Sequence, residues 1–260
     1  MANVDYDNRY TTITIGKSED IDYKIYIYDR YINTIMSSFH GIQTYPDIKN
    51  RKIVNMIIEI PCDTTYKMEI NKSIKLNPIT YDKKNGKIRQ INYKGGYPAN
   101  YGAIPQTWEN SLEDDKHIGL KGDNDPLDCF DISDIDVTPG EIIRMKILGA
   151  IAMIDDGKTD WKIIGINCKD PMSIFYDDIS EIPNILLEDV IDFLRNYKKD
   201  TTGKENTFHK DIIWSSEQAI TIIENQHNEW KKLIKMDDSQ KTDDIRSIRL
   251  DKSMNIDDME

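Results

Sequence analysis

Carboxylates are concentrated in the segment KGDNDPLDCFDIS, residues 121–133, beside residues typical of a buried strand. In extended chain Asp123 and Asp125 point to the same side, about 7 Å apart, and Asp128 follows shortly after. An EF-hand calcium loop is excluded, because it needs Gly at its sixth position and Glu at its twelfth, and Asp128 and Asp134 stand there. These carboxylates form either a metal site or a solvated acidic loop.

Charged residues recur in two further segments. The turn DDGKTDWK, residues 155–162, follows a long apolar run, and the strand-like segment KME places Lys67 and Glu69 on one face. Taken alone, the first is an ordinary hairpin turn and the second a surface ion pair that adds little stability. Together with the aspartate segment they could line one cavity.

Gathering these carboxylates in one cavity requires cations. At about 6 Å and an effective dielectric near 20, each like-charge pair costs roughly 3 kcal/mol. Several pairs would offset most of a typical stability of about 5 to 15 kcal/mol. Oxygen ligands without clustered His or Cys favour Mg²⁺ or Mn²⁺ over zinc, and Mg²⁺ is usually shared with substrate phosphate. Unless the carboxylates are dispersed, the sequence favours a phosphate ester or anhydride as substrate.

Residues that could bind phosphate occur elsewhere in the chain. The candidates are Arg89, Lys67, Lys162, Tyr197 and Lys198. The loop YKGGYPANYGAIPQTW, residues 93–108, could also present the phenols of Tyr97 and Tyr101. Each of these residues by itself is more typical of a surface or packing position.

Composition narrows the class of protein. The 260 residues carry 46 Asp and Glu against 34 Lys and Arg, a formal net charge of −12, which disfavours nucleic acid and anionic membranes as partners. No apolar run reaches the 18 residues of a membrane span, and no signal peptide is recognisable. Three widely spaced cysteines predict neither a disulfide framework nor a zinc site. We expect a soluble cytoplasmic protein.

Short strands dominate the first two thirds of the sequence, and helices follow. Strand-like runs lie at residues 11–15, 23–28, 54–60, 66–70, 127–132, 142–154 with a bend at Gly149, and 161–166. Apolar periodicity predicts helices at 185–197 and 216–234, the second with a capping box of Ser215 and Gln218. This order predicts a single α+β domain over residues 1–235, most simply a small barrel with helices outside. Residues 236–260 read as an acidic, disordered tail.

The motifs occur in an order that resembles the soluble family I inorganic pyrophosphatases. The signature DNDPLDC at 123–129 is accompanied by EIP at 59–61, KME at 67–69, GYPANYGAIPQTWE at 96–109, TDWK at 159–162 and YK at 197–198. The similarity covers residues 10 to 234. This ordered set is specific, whereas a lone acidic motif is a weak signal. The first strands and the segment SSFHGIQTYPD resemble the longer, eukaryotic-type branch.

The resemblance implies a five-stranded OB-like β-barrel with flanking α-helices, an N-terminal β-hairpin extension over about residues 1–34, and Mg²⁺-dependent hydrolysis of pyrophosphate to two phosphates. Three or four Mg²⁺ ions are implied, with Mn²⁺ as a substitute. The implied metal ligands are Asp123, Asp128, Asp160, Asp155 and Glu69, with Glu59 in support. Asp125 would accept the proton of the attacking water, and Tyr97 would donate a hydrogen bond on the leaving side. The implied phosphate-binding residues are Arg89, Lys67, Lys162, Tyr197, Lys198 and Tyr101.

Some residues depart from the family pattern. Cys62 and Asp63 follow EIP where longer-branch relatives often carry Arg and Trp, and Lys158 stands where Glu is common. GYPANYG resembles the shorter, bacterial-type relatives. The longer branch implies a dimer and the shorter one a hexamer, and we expect a homodimer.

Three alternatives remain open at this point. Another Mg²⁺-dependent phosphoanhydride hydrolase would share the same site. A non-catalytic OB-like binding protein would bind single-stranded nucleic acid, which the negative charge opposes. An inactive relative would lack a ligand, and none of the implied ligands is missing from the sequence.

Overall fold

The fold is taken from a computed structural model that describes residues 6–259, except the side chains at positions 6, 7, 200, 201 and 211. Its strands are β1 (Tyr10–Ile15), β2 (Lys24–Asp29), β3 (Thr34–Met36), β4 (Ile53–Ile60), β5 (Met68–Ile70), β6 (Ile79–Tyr81), β7 (Lys83–Lys84), β8 (Lys87–Ile88), β9 (Asn100–Ile104), β10 (Leu127–Asp131), β11 (Ile142–Asp155), β12 (Lys158–Asn167), β13 (Thr207–Ser215) and β14 (Ser253–Asn255).

The helices lie mostly after the long strands. They are α1 (Tyr6–Arg9), α2 (Asn184–Asn196), α3 (Lys199–Thr202), α4 (Ser216–Leu233) and α5 (Asp243–Arg246), with short 3-10 helices at Pro171–Ile174, Ile179–Glu181, Asp238–Gln240 and Ile256–Asp258. The predicted α+β class is confirmed. Within the described chain, no helix is both long and apolar enough to cross a membrane.

Five strands close into a ring. They are hydrogen-bonded in the order β12, β10, β9, β4 and β11, and β11 pairs back onto β12. Only β10 and β12 run parallel within this ring. The long strand β11 makes the closure possible, because its first part pairs with β4 and residues Met145–Asp155 pair with β12. Its second part also pairs with β13, which lies outside the ring. A register shift between Ile147 and Gly149 confirms the predicted irregularity there.

Close approach of backbone explains one glycine of the ring. A Cβ on Gly102 in β9 would lie 2.0 Å from the carbonyl oxygen of Ile57 in β4. That oxygen belongs to the backbone of a buried central strand and cannot move aside cheaply. Glycine at this position therefore permits β4 and β9 to pair.

Helices α2 and α4 cover the ring through apolar side chains. The α4 residues buried in this way are Ala219, Ile222, Ile223, Trp230 and Leu233. The side chain of Ser215 accepts a hydrogen bond from the backbone of Gln218, whose side chain reciprocates, so the predicted capping box is confirmed. Helix α2 buries Val190, Phe193 and Leu194. Both predicted helices match the structure to within a residue or two.

A second sheet flanks the ring and contains the first and the last strand of the described chain, β1 and β14. It has the order β14, β3, β2, β6 and β5, with β1 paired to β2 in antiparallel register. Strands β1 and β2 are therefore an antiparallel pair, and residues 1–5 of the expected N-terminal hairpin extension lie outside the described residues. Strand β2 also pairs with β3 and β6, so it belongs to this larger sheet.

The structure corrects the prediction of an acidic, disordered tail over residues 236–260. In the described part of this segment, Ile245 is 1% exposed and Ile248 5%, and both belong to the main hydrophobic core. Strand β14 pairs with β3. The packed unit therefore extends beyond residue 235. The sequence did not reveal this because one-turn helices and a three-residue strand carry no apolar periodicity.

His40 makes the stability of this packing sensitive to pH. Its ring is fully buried, stacks on Phe39 with 4.2 Å between centroids, and accepts a hydrogen bond from Trp230 Nε1 at 2.9 Å. Burial lowers the pKa of His40 to about 4. In the unfolded chain the His40 ring is therefore protonated below about pH 6.5, whereas in the folded chain it stays neutral down to about pH 4.

We expect His40 to contribute stability that is fully present above pH 6.5 and is lost as the pH falls toward 4. The loss should amount to about 3 kcal/mol. Urea unfolding at a series of pH values measures it, and His40→Gln should show a shallower decline, with the half-buried His209 changed to Gln as the control. Equal slopes for wild type and His40→Gln would contradict the assignment.

Candidate active site

The residues predicted for the site lie around one cavity of about 180 Å³. The lining side chains include Glu59, Lys67, Glu69, Arg89, Tyr97, Tyr101, Asp123, Asp125, Asp128, Asp155, Asp160, Lys162, Tyr197 and Lys198. Asp123, Asp128 and Asp160 thus converge, as the charge argument requires. The structure brings together every residue that the sequence singled out, and their individual roles remain predictions.

Strand pairing in the ring explains how distant residues meet. The parallel register of β10 and β12 sets Asp128 opposite Lys162. The period of two places Asp160 on the same face of β12 as Lys162. Strand β9 contributes Tyr101, and the end of β11 contributes Asp155. The cavity therefore lies along adjacent strands of a closed ring, which holds these side chains on rigid backbone.

Lys162 is the most enclosed cation of the cavity. Its side chain contacts both Asp128 and Asp160, and the residue is 2% exposed. Burial opposes its charge, but the two carboxylates outweigh burial and hold its pKa well above the usual value. Lys162 is therefore a permanent positive charge between two negative ones.

A third ion pair between a lysine and a carboxylate also lines the cavity. Lys198, just after α2, contacts Asp155 at the end of β11. Burial opposes the charge of Lys198, and the neighbouring Tyr197 and Asp155 raise its pKa. The lysine is therefore charged and positioned at the cavity wall.

Asp82 was missed by the sequence analysis, although it positions two predicted cations. It accepts a hydrogen bond from Arg89 Nη1 at 2.9 Å and lies 3.6 Å from Lys67 Nζ. Lys67 also donates to Glu69 at 2.8 Å. Burial would raise the pKa of Asp82, but Lys67 and Arg89 lower it overall. Nothing in the local sequence marks Asp82, since it follows a short strand as many surface aspartates do.

Glu109 was also missed, and the structure places it with the predicted metal ligands. Carboxylate oxygens of Glu109, Asp123 and Asp160 all lie within 4.8 Å of one another. Glu109 is 1% exposed, and its Oε1 accepts a hydrogen bond from the Trp161 amide at 2.9 Å. Its Oε2 is buried without a hydrogen-bond partner among the described residues. Glu109 is a single acid in an aromatic loop, so its spacing in the sequence did not mark it as a metal ligand.

The cavity carries more negative than positive charge. Its lining contains seven carboxyl groups against four lysine and arginine side chains. Burial, together with Asp125 and Asp160, raises the pKa of Asp123 well above its ordinary value. Burial and Asp128 raise the pKa of Asp160 to about 6, against the effect of Lys162. The carboxylates cannot all ionise readily without further positive charge.

The donor set therefore fits divalent metal ions. It consists of carboxylate oxygens, without His or Cys among the cavity-lining residues, and one buried oxygen of Glu109 lacks a partner. Hard cations such as Mg²⁺ prefer such oxygens. A buried acidic group of this kind could hold a metal while leaving the cationic side of the cavity for an anion.

Two buried tyrosines complete the cavity. Tyr97 is 2% exposed and Tyr101 7%, and their rings lie 5.2 Å apart. Tyr97 also contacts Phe193 of α2 at 4.8 Å. Burial raises the pKa of both phenols, so each keeps its proton and can donate a hydrogen bond.

The fold and the cavity define an α+β protein in which a closed five-strand ring carries a carboxylate-rich site suited to metal ions. Lysine and arginine side chains line the same cavity. A family model described as inorganic pyrophosphatase matches residues 56–231. The inorganic pyrophosphatase of Bos taurus is 40% identical over 231 residues, which cover 86% of this chain and 77% of that protein. The mitochondrial inorganic pyrophosphatase of Saccharomyces cerevisiae is 38% identical over 248 residues, 91% of this chain and 79% of that protein.

Structural similarity agrees with the sequence matches. The inorganic pyrophosphatase of Schistosoma japonicum superposes with a TM-score of 0.84 at 37% identity, covering 91% of this chain and 85% of that one. The chain belongs to the inorganic pyrophosphatase family, which confirms the resemblance drawn from its motifs. It is a hydrolase that converts inorganic pyrophosphate to phosphate.

Proposed function

We propose that this chain hydrolyses pyrophosphate by direct attack of water on phosphorus, with Asp125 as the proton acceptor. The observation that carries the proposal is the convergence of Asp123, Asp128 and Asp160 beside fixed cations in one cavity. The side chain of Asp125 is 43% exposed, so a water at the cavity can reach it. No covalent enzyme intermediate is needed, because positioning and charge stabilisation supply the catalysis.

The proposed metal ligands divide into two groups. Asp123, Asp128 and Asp160 would hold one ion, with Asp128 shared with a second, while Asp155, Asp160 and Glu69 would hold the others. The bound Mg²⁺ ions would supply positive charge to the phosphate oxygens and lower the pKa of the attacking water. We propose three or four such ions per site, with Mn²⁺ able to replace Mg²⁺.

The remaining side chains bind and orient the substrate. Arg89, Lys67, Lys162 and Lys198 carry the positive charge that two phosphates require, and Glu59 supports the ligand shell by accepting a hydrogen bond from the Ile70 amide at 2.7 Å. The phenols of Tyr101 and Tyr197 would donate to phosphate oxygens. Tyr97 would donate to the leaving phosphate, for which its buried, protonated phenol is suited.

Metal removal should abolish hydrolysis. With Mg²⁺ present we expect phosphate release from pyrophosphate, and with EDTA we expect none, because the carboxylates then repel the substrate. Mn²⁺ should restore part of the activity. A substrate panel of pyrophosphate, nucleoside triphosphate and polyphosphate, assayed for phosphate release under each condition, distinguishes this chain from a general phosphoanhydride hydrolase. Undiminished activity in EDTA would contradict the metal requirement.

The finer architecture and assembly are also proposals. The closed five-strand ring supports description of the fold as an OB-like barrel, and the strand pair near the N-terminus as an extension of it. A homodimer is proposed from the resemblance to the longer branch, and sedimentation velocity tests it. A cytoplasmic location is proposed from the sequence, although one relative is named mitochondrial; imaging of the tagged chain in cells tests it.

A further inference from the structure

Lys72 contacts the aspartate loop from outside the cavity. Its ammonium lies 2.5 Å from Asp125 Oδ1 and donates a hydrogen bond to the carbonyl of Asn124 at 2.8 Å. Asn124 has a left-handed backbone, with φ of 77°, which few residues adopt unaided. Lys72 therefore contacts both the side chain and the backbone of the loop that contains Asp125.

The position of Lys72 is determined by the loop at residues 71–78, which joins β5 to β6. The Lys72 carbonyl accepts hydrogen bonds from Asn77 Nδ2 at 3.0 Å and from the Arg249 amide at 2.8 Å. Asn77 Nδ2 also donates to the Arg249 carbonyl at 3.1 Å, and Asn77 Oδ1 accepts from Ser37 Oγ at 2.7 Å. Asn77 is fully buried. This amide joins the Lys72 loop to the C-terminal segment.

The segment that supplies Arg249 is itself firmly packed. We name residues 245–255 the C-terminal strap. Ile245 and Ile248 anchor one end of the strap in the core, and β14 pairs with β3 at the other. Between them, the Lys252 carbonyl accepts a hydrogen bond from the Ser37 amide at 2.8 Å. A chain of direct contacts therefore connects the strap to Asp125 through a single lysine.

We infer that Lys72 is a positioning residue for Asp125 and that the C-terminal strap sets where Lys72 lies. The inference deepens the proposed function and rests on the proposed role of Asp125. A carboxylate that is nearly half exposed can rotate away from its working position unless a partner restrains it. A misplacement of about 1 Å in catalytic geometry can cost a factor of about 100 in rate, so restraint by Lys72 would act on kcat.

Substitutions at Lys72 in the full-length chain test whether Lys72 positions Asp125. We expect Lys72→Met to lower kcat for Mg²⁺-pyrophosphate by about 10- to 100-fold and to leave KM nearly unchanged, because Lys72 does not line the cavity. Lys72→Arg should recover much of kcat, since it keeps the charge. Thermal unfolding should show both variants folded.

Four results separate the possible failures. A Lys72→Met enzyme with wild-type kcat would overturn the inference, and so would a loss that Lys72→Arg does not recover, because that pattern indicates a structural role. Full activity in Asp125→Asn would instead refute the proposed role of Asp125. Wild-type protein that releases no phosphate with Mg²⁺ would refute the proposed mechanism as a whole.

A matched pair of substitutions at Arg249 tests whether the C-terminal strap sets the position of Lys72. Arg249→Pro removes the amide that donates to the Lys72 carbonyl, whereas Arg249→Ala keeps this amide and removes only the side chain. We expect kcat to fall about 5-fold or more in the proline variant and to stay near wild type in the alanine variant. Equal kcat in the two variants, or a proline variant that does not fold, would overturn the role assigned to the strap.

Discussion

Asp125→Asn is expected to lower kcat for pyrophosphate hydrolysis by about 10²- to 10⁴-fold, the usual contribution of general acid–base catalysis. The amide has nearly the same shape as the carboxylate but cannot accept a proton. Asp125 is the proposed acceptor because its side chain is open to the cavity and lies in the loop that contains Asp123 and leads into β10, which carries Asp128. Steady-state phosphate release with saturating Mg²⁺ measures the effect.

A matched control distinguishes loss of chemistry from loss of structure. Asp136→Asn makes the same change at an exposed aspartate that follows β10, the strand after the Asp125 loop. This variant should keep wild-type activity. Circular dichroism and thermal unfolding should show that Asp125→Asn is folded, because a partly exposed carboxylate contributes little to stability. Retention of more than about half of the wild-type kcat by folded Asp125→Asn would refute its role as the base.

Lys162→Met is expected to destabilise the metal-free protein by about 3 to 5 kcal/mol. The substitution removes the cation between Asp128 and Asp160 and leaves two carboxylates without it in a buried site, and breaking a buried ion pair from one side typically costs this much. Urea unfolding in EDTA measures the loss. Lys158→Met, at an exposed position at the start of β12, should cost far less and serves as the control.

Mg²⁺ should reverse part of the Lys162→Met defect. A dication bound by Asp128 and Asp160 replaces the missing positive charge, and an ion at about 100 times its dissociation constant adds about 2.7 kcal/mol of stability. We therefore expect Mg²⁺ to stabilise Lys162→Met at least as much as wild type. An absence of any Mg²⁺ effect on either protein would argue against a metal site at these carboxylates.

The predictability of this site varied from residue to residue for physical reasons. Asp123, Asp125 and Asp128 stand close together in sequence, so short-range geometry alone relates them. Asp160 and Lys162 share a strand face by the period of two. Glu109 is different, because its nearest predicted ligand is 14 positions away and its contact with Asp160 depends on how the ring closes. Local spacing carries no information about such contacts.

The fold likewise has elements that the local sequence predicts and elements that it does not. The long apolar runs that became β4, β11 and β12 and the periodic helices α2 and α4 could be predicted, because their side chains repeat with the period of a strand or a helix. The C-terminal strap could not, since its stability comes from Ile245, Ile248 and backbone pairing with β3. Short polar segments with a few buried side chains resemble disordered ones in composition.

The sequence by itself determined the chemistry of this protein: the types of ligand, the excess of carboxylates, the ordered motifs and hence the family. Only the tertiary structure decided which separate segments meet, namely that Asp82 holds Arg89 and Lys67, that Glu109 joins the metal-type cluster, and that Lys72 contacts Asp125. The physical reason is that side-chain identity and strand periodicity are local properties. Contacts between distant segments follow from ring closure and core packing, which depend on the whole chain at once.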